Sequence, residues 1–325
     1  CLKKFTFDLI LVLIIAYLIT VSFWPHAHVN IFTEPFKLLL LFIERSSDGA
    51  NVVALPWMLF NGNFVETNPP PNSYLIISFF HKLPEFILLS YVIFIYLIFT
   101  NKKFFLIQFN FFWSKVFLIL FIFLFPIVSF IISPFIAYDG LRLVIYLIPY
   151  FCIIPGLAIY YLIYNFNSLV SKILILTIGS LIIYYLYVFA LLTPYQYIYL
   201  NRFNGKFANA YNKYENDYWG TSFKELIKKI PTETNLISNN KKNKIIFCGY
   251  TPFLGKKELE KLKNLKFELK SIYEKSDYDY VIMTNRIIEE RDNNILPKVK
   301  TCFEKFDGTD LIKVERNGLM LSTLR

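Results

Sequence analysis

Three stretches of this 325-residue chain gather residue types that can do chemistry. The first runs from Pro56-Trp57-Met58-Leu59-Phe60-Asn61-Gly62 to Asn68-Pro69-Pro70-Pro71-Asn72-Ser73-Tyr74. The second is Tyr138-Asp139-Gly140-Leu141-Arg142. The third is Pro194-Tyr195-Gln196-Tyr197-Ile198-Tyr199-Leu200-Asn201, continuing to Tyr214-Glu215-Asn216-Asp217-Tyr218-Trp219-Gly220. Asp139 and Arg142, three residues apart, can pair with each other or meet lipid headgroups, and Trp and Tyr at span ends commonly form an interfacial belt. The same residues can equally line one cavity. His26 and His28 form an HxH without a third ligand, which falls short of a metal site, and His81-Lys82 suits a headgroup layer. Cys1, Cys152, Cys248 and Cys302 show no CxxC spacing, so no zinc or redox centre is signalled. Cys248 and Cys302 can pair if the tail is extracytoplasmic.

The elements that must position these groups are membrane helices. The chain is 55% hydrophobic, 19% aromatic and 18% charged, with a positive mean hydropathy, whereas a soluble domain carries about 25% charged residues. Charges are sparse before Thr193 and frequent after it, so two solvents are implied. The net charge of +10 is dispersed among acidic residues in the tail and does not indicate a nucleic-acid partner. The chain starts Cys-Leu-Lys-Lys, close to an apolar run and without an initiator Met, so a fragment of a longer protein is expected. Phe23-Trp24-Pro25-His26 lacks the small residues of a signal cleavage site, so a retained helix is expected.

A crossing helix needs roughly 20 apolar residues. About five spans are expected, near 7–23, 84–100, 114–132, 143–164 and 173–192, with Pro126, Pro149 and Pro155 inside them. Prolines at depth require neighbouring helices to satisfy the freed carbonyls. Phe36 to Arg45 reads as an amphipathic interfacial helix, and Tyr74 to Phe80 as a short interfacial helix before Pro84. Lys3, Lys4, Lys102, Lys103, Lys115 and Lys172 place the N-terminus inside and the tail outside. The three polar-aromatic stretches then share one membrane face.

The tail, residues 194–325, reads as a small extracytoplasmic α/β domain. Ser222-Phe223-Lys224-Glu225 has the form of a capping box opening a helix that ends before Pro231. Lys244 to Cys248 and Tyr280 to Met283 read as buried strands, Lys256 to Leu262 as a helix and Phe267 to Ile272 as a strand. Leu311 to Val314 and Leu319 to Ser322, around Asn317-Gly318, form a terminal hairpin. No Gly-rich phosphate loop follows the central strands, so nucleotide binding is not indicated.

At its three polar-aromatic stretches the chain resembles the C-terminal half of bacterial membrane glycosyltransferases related to the dolichyl-phosphate-mannose–protein mannosyltransferases (glycosyltransferase family 39, GT-C fold). The residues that carry this are Trp57, Leu59-Phe60-Asn61-Gly62, Pro71 and Tyr74; Tyr138 to Arg142; Tyr195-Gln196-Tyr197 with Asn201; and Tyr214-Glu215-x-Asp217-Tyr218-Trp219-Gly220. The chain departs from the family pattern at Leu143, where a His is common, and near Asn204-Gly205, where one glycine stands in place of a pair. The resemblance implies transfer of a sugar from a polyprenyl-phosphate donor to a glycan, lipid or protein acceptor at the outer face of the inner membrane. It implies substrate-binding roles for Trp57, Asn61, Tyr74, Asp139, Arg142, Asp217 and Trp219. Arg142 would meet the phosphate, the aromatics the sugar, and Asp139 would orient Arg142 or supply supporting hydrogen bonds. The catalytic acidic residue is expected upstream of Cys1, and no metal or other cofactor is expected. Competing classes are a transporter and a non-catalytic anchor that displays the tail for interaction. Almost no charge lies within the spans, which counts against ion-coupled transport.

Overall fold

The computed structural model describes residues 2–47, 56–132, 136–234, 242–249, 252–262, 264–272, 278–290 and 298–325. Residues 1–54 and 55–325 form two compact units. The first holds α1 (Leu2–Phe23) and α2 (Glu34–Ser47), joined by a short 3-10 turn, Pro25–Val29. The His28 ring bonds the Val21 carbonyl at 2.8 Å, which gives this histidine a local structural role.

The second unit begins with a hairpin, β1 (Trp57–Phe60) and β2 (Asn63–Glu66), whose turn residues Asn61 and Gly62 have φ of 50° and 87°. Both central residues at positive φ make the Asn-Gly turn that matches strand twist. Helices α3 (Tyr74–Lys82), α4 (Glu85–Thr100), α5 (Lys102–Gln108), α6 (Phe112–Ile132), α7 (Ile148–Tyr164) and α8 (Leu169–Leu191) follow. A 3-10 turn, Arg142–Leu147, leads into α7, with Pro149 in its first turn.

Among the described residues, four segments are long and apolar enough to cross a membrane: α1, α6, Arg142–Tyr164 and α8. A fifth crossing results if α3 and α4, which meet at 106°, count as one broken span. This is a polytopic helical membrane protein with a small sheet-bearing region. The helices start earlier than the apolar runs suggest. Helix α8 opens at Leu169, before Lys172, and α6 at Phe112, before Lys115, because a polar residue in a first turn does not interrupt the backbone ladder.

Pro155 lies inside α7. It has no N–H to give the Phe151 carbonyl one turn back. Tyr91 on the packed helix α4 donates its hydroxyl to that carbonyl at 2.5 Å, and the rings of Tyr91 and Phe151 lie 4.8 Å apart. A neighbouring helix thus supplies the missing donor.

After α8 the chain turns through Thr193-Pro194 into the tail, with α9 (Phe223–Glu233), β3 (Asn243–Cys248), α10 (Pro252–Glu260), β4 (Phe267–Lys270), β5 (Tyr280–Thr284), β6 (Ile287–Glu290), β7 (Lys298–Thr301), α11 (Cys302–Lys305), β8 (Ile312–Arg316) and β9 (Leu319–Leu324). The five-stranded sheet has order β4-β3-β5-β9-β8. Its β3 is parallel to β4 and β5, and β9 is antiparallel to both neighbours. Successive side chains alternate faces. Ile245 and Phe247 pack with Leu226 and Ile230 of α9, in a core that continues to Val188 of α8 and Leu192 just past its end. Ile246 and Cys248 face Cys302, Phe303 and Phe306, and Cys248 is disulfide-bonded to Cys302.

Two expectations for α9 need correction. Helix α9 runs through Pro231 to Glu233, since a proline in the last turn costs one carbonyl its donor and no more. Ser222 and Glu225 do not form the capping box, because tertiary partners claim both side chains. A capping box does form at Thr301 and Glu304.

Tyr91→Phe is expected to destabilise the fold by about 1 kcal/mol, the worth of one buried hydrogen bond. In a Pro155→Ala background, where the helix regains its own N–H donor at that position, the same change should cost little of that. Reversible unfolding of the four variants in mixed micelles checks this, and equal costs in the two backgrounds would contradict it.

Candidate functional site

The site is assembled by an arginine from the sheet region. The β5–β6 turn, Asn285-Arg286, grips the segment 211–216. Asn285 Nδ2 donates to the carbonyls of Tyr211 and Tyr214 at 3.0 and 2.6 Å, and its Oδ1 accepts from Asn216 N at 3.1 Å. Ile287 N donates to Glu215 Oε1 at 2.9 Å. The Arg286 side chain, 3% exposed, reaches Glu215 Oε1 at 3.3 Å through Nε and Asp139 Oδ1 at 3.0 Å through Nη1. A buried guanidinium requires such partners, since an unpaired one would be prohibitively costly.

Asp139 and Gly140 sit at φ of 58° and 72°, a left-handed pair that few residues other than Gly, Asn and Asp adopt readily. The loop is clamped by Tyr74 at the start of α3. Its hydroxyl accepts from Gly140 N at 2.8 Å and donates to Gly140 O at 3.1 Å. The second oxygen of Asp139 accepts from Arg142 Nη1 at 3.2 Å. Arg142 keeps 37% of its side chain exposed and lies over two rings, Trp219 at 4.9 Å and Tyr138 at 5.4 Å. Contacts of this kind contribute about 0.5–1 kcal/mol each at exposed sites. The chain of contacts is therefore Glu215, Arg286, Asp139, Arg142, Trp219.

Behind Asp139 lies a cavity of about 40 Å³ lined by residues including Tyr74, His81, Lys82, Tyr214, Glu215 and Tyr218. It has room for about one water molecule or two and none for a sugar. His81 Nδ1 bonds the Tyr214 hydroxyl at 2.6 Å, and Lys82 Nζ donates to the Tyr197 carbonyl at 3.0 Å. Burial pushes the Glu215 carboxyl above its usual value, with the Arg286 charge and the Ile287 N–H pulling it back in part and the Asp139 charge adding to the rise.

The residues expected from sequence divide in two. Tyr74, Asp139, Arg142 and Trp219 come together. Trp57 lies at the outer end of β1, paired with Glu66 in the hairpin ladder, and Asn61 is an exposed turn residue; neither lines the cavity. Asp217 is buried and points at α9. It accepts from Ser222 N at 2.9 Å, Thr221 N and Oγ1 at 3.0 Å, and the hydroxyls of Tyr197 and Ser222. Every lone pair is engaged, so Asp217 caps α9. Arg286, Asn285, His81, Lys82 and Tyr214 join the site in addition. The sequence signal for Arg286 is a guanidinium between the apolar runs Val281-Ile282-Met283 and Ile287-Ile288. Among the described residues no group of three His, Cys, Asp or Glu could hold a metal ion.

Because the folded Glu215 pKa is raised, its contribution to stability is full below the ordinary value of 4.5 and is lost as pH rises through the raised value. The stability of the native chain relative to Glu215→Gln should therefore fall as pH increases from 4.5. Thermal melts in detergent between pH 4 and 8 measure that difference; a flat or rising difference would contradict the assignment.

Comparison of the chain with protein-family models, curated proteins and solved structures gives no match.

Proposed function

We propose that the chain belongs to a GT-C-type membrane glycosyltransferase related to family 39, moving a sugar from a polyprenyl-phosphate donor to a glycan, lipid or protein acceptor on the extracytoplasmic face of the inner membrane. The observation that carries this reading is the placement of Arg142. Its guanidinium lies over Trp219, 4.9 Å from the ring centroid, and is held by Asp139 at the mouth of a span, with over a third of its side chain exposed. A guanidinium presents five N–H donors, and those not given to Asp139 are available to a phosphate; the adjacent indole and phenol rings suit the apolar face of a sugar. A lipid tail could then lie along the helices, as a polyprenyl donor requires.

The buried groups serve this surface indirectly. Asp139 and Glu215 are committed to arginines, so neither serves as the base that the acceptor hydroxyl needs; they set the position of Arg142. Two features support an outer location for the tail. The Cys248–Cys302 disulfide suits an oxidising compartment. Lys102, Lys103, Lys115 and Lys172 lie at the opposite ends of the helices from Arg142. A second reading, a non-catalytic anchor displaying the tail, is favoured by the saturated carboxylates and the small cavity.

The test measures binding of the chain in nanodiscs to a polyprenyl monophosphate against the matching polyprenol. Loss of the charge-assisted contacts in Arg142→Ala should weaken phosphate-dependent binding about 10- to 100-fold, with Arg142→Lys in between. Equal binding of phosphate and alcohol, or undiminished binding by Arg142→Ala, would remove Arg142 from the scheme. No phosphate-selective binding at all would favour the anchor.

A further inference from the structure

A second cavity lies between the end of α8 and the first turns of α9. It has a volume of about 420 Å³, and its walls include Pro194, Tyr195, Thr221, Lys224, Glu225 and Lys228. Lys224 and Lys228 are both exposed and stand one turn apart on the same face of α9. Among the described residues neither makes a hydrogen bond or an ion pair. Glu258, the acidic group that feels their charge, is itself bonded to Lys261 at 2.5 Å.

The carboxylate in the wall does not neutralise the lysines. Glu225 Oε2 receives Arg316 Nη2 at 2.5 Å and the Tyr195 hydroxyl at 2.9 Å, and its Oε1 receives Arg316 Nη1 at 3.2 Å. Arg316 also donates from Nε to the Thr193 carbonyl at 3.0 Å and lies over the Tyr195 ring at 4.9 Å. The terminal hairpin is thereby stapled to the end of α8, which makes this wall a fixed structure with a surplus of positive charge.

Height in the membrane narrows the ligand. Helix α8 ends at Leu191, three residues before Pro194, so the cavity opens where the apolar span gives way to the headgroup layer. On α8 just before that end, Leu186, Tyr187, Phe189 and Leu191 are exposed, an apolar surface for acyl chains in the last turns before the cavity. We propose that this cavity binds the headgroup of an anionic glycerophospholipid, with Lys224 and Lys228 on its phosphate and its acyl chains along α8. Basic residues at a membrane surface select anionic lipids by this mechanism. The site lies apart from Arg142 and does not depend on the sugar-transfer reading.

Native mass spectrometry of the full chain, released from detergent and titrated separately with phosphatidylglycerol, phosphatidylcholine and inorganic phosphate, tests it. One phosphatidylglycerol should be retained about tenfold more strongly than phosphatidylcholine. Lys224→Gln/Lys228→Gln should lower that retention about tenfold with an unchanged melting temperature, and Lys228→Arg should preserve it. Equal retention by the double variant, or no preference over phosphatidylcholine, would overturn the proposal. So would inorganic phosphate occupying the site as tightly as the lipid, which would mark a free-anion site.

Discussion

One buried cation organises the membrane-proximal face of this protein. Arg286 extends from the β5–β6 turn of the tail and takes a carboxylate from each of two other segments, Asp139 from the loop before α7 and Glu215 from the segment before α9. Desolvating these charges costs several kcal/mol per ion, and their mutual pairing offsets much of it. The arrangement is therefore close to all-or-none: any displacement of the tail relative to the Asp139 loop would strand charge in an apolar surround. Because Asp139 also holds Arg142, and Arg142 lies over Trp219, the position of an exposed cation at the start of a span follows from a contact made 147 residues away in sequence.

The rest of the unit is consistent with that dependence. Asn201 donates from Nδ2 to the Phe80 and Leu83 carbonyls at 2.5 and 2.8 Å and from its backbone N to the His81 carbonyl at 2.9 Å. It thus satisfies the end of α3 where no helical donors remain. The core of the tail is continuous with the end of α8 through Leu192, Tyr195 and Ile198. Apolar packing and polar clamps thus act on the same junction: the first supplies most of the stability, while the second fixes register, since hydrogen bonds contribute modestly when made and are expensive when lost.

Much of the fold is legible locally. The apolar runs of α6, α7 and α8 exceed what a soluble core helix needs, and Asn317-Gly318 between alternating strands gives the last hairpin. The same Asn-Gly signal stands at Asn61-Gly62, but strands of four residues offer too few alternations to separate a hairpin from an interfacial loop. At Ser222-x-x-Glu225 the local pattern misleads, because Asp217 and Arg316 take the two side chains. Thr301-x-x-Glu304 has the same pattern, and there the reciprocal bonds form. Asp139, Arg142, Tyr74 and Trp219 are recognisable as residues out of place in a purely apolar setting. Their partner Arg286 is not, because no periodicity links positions so distant; only its place in a short polar turn between two apolar runs hints that a carboxylate must meet it.

The dependence of the site on Arg286 is tested most directly by a double-mutant cycle of Asp139→Asn and Arg286→Gln, read by reversible unfolding in mixed micelles. If the two side chains form one unit, the losses should be strongly non-additive, with a coupling of about 2 kcal/mol or more. Losses that add to within about 0.5 kcal/mol would mean that the tail arginine does not hold the Asp139 loop, and the account of how Arg142 is positioned would fail.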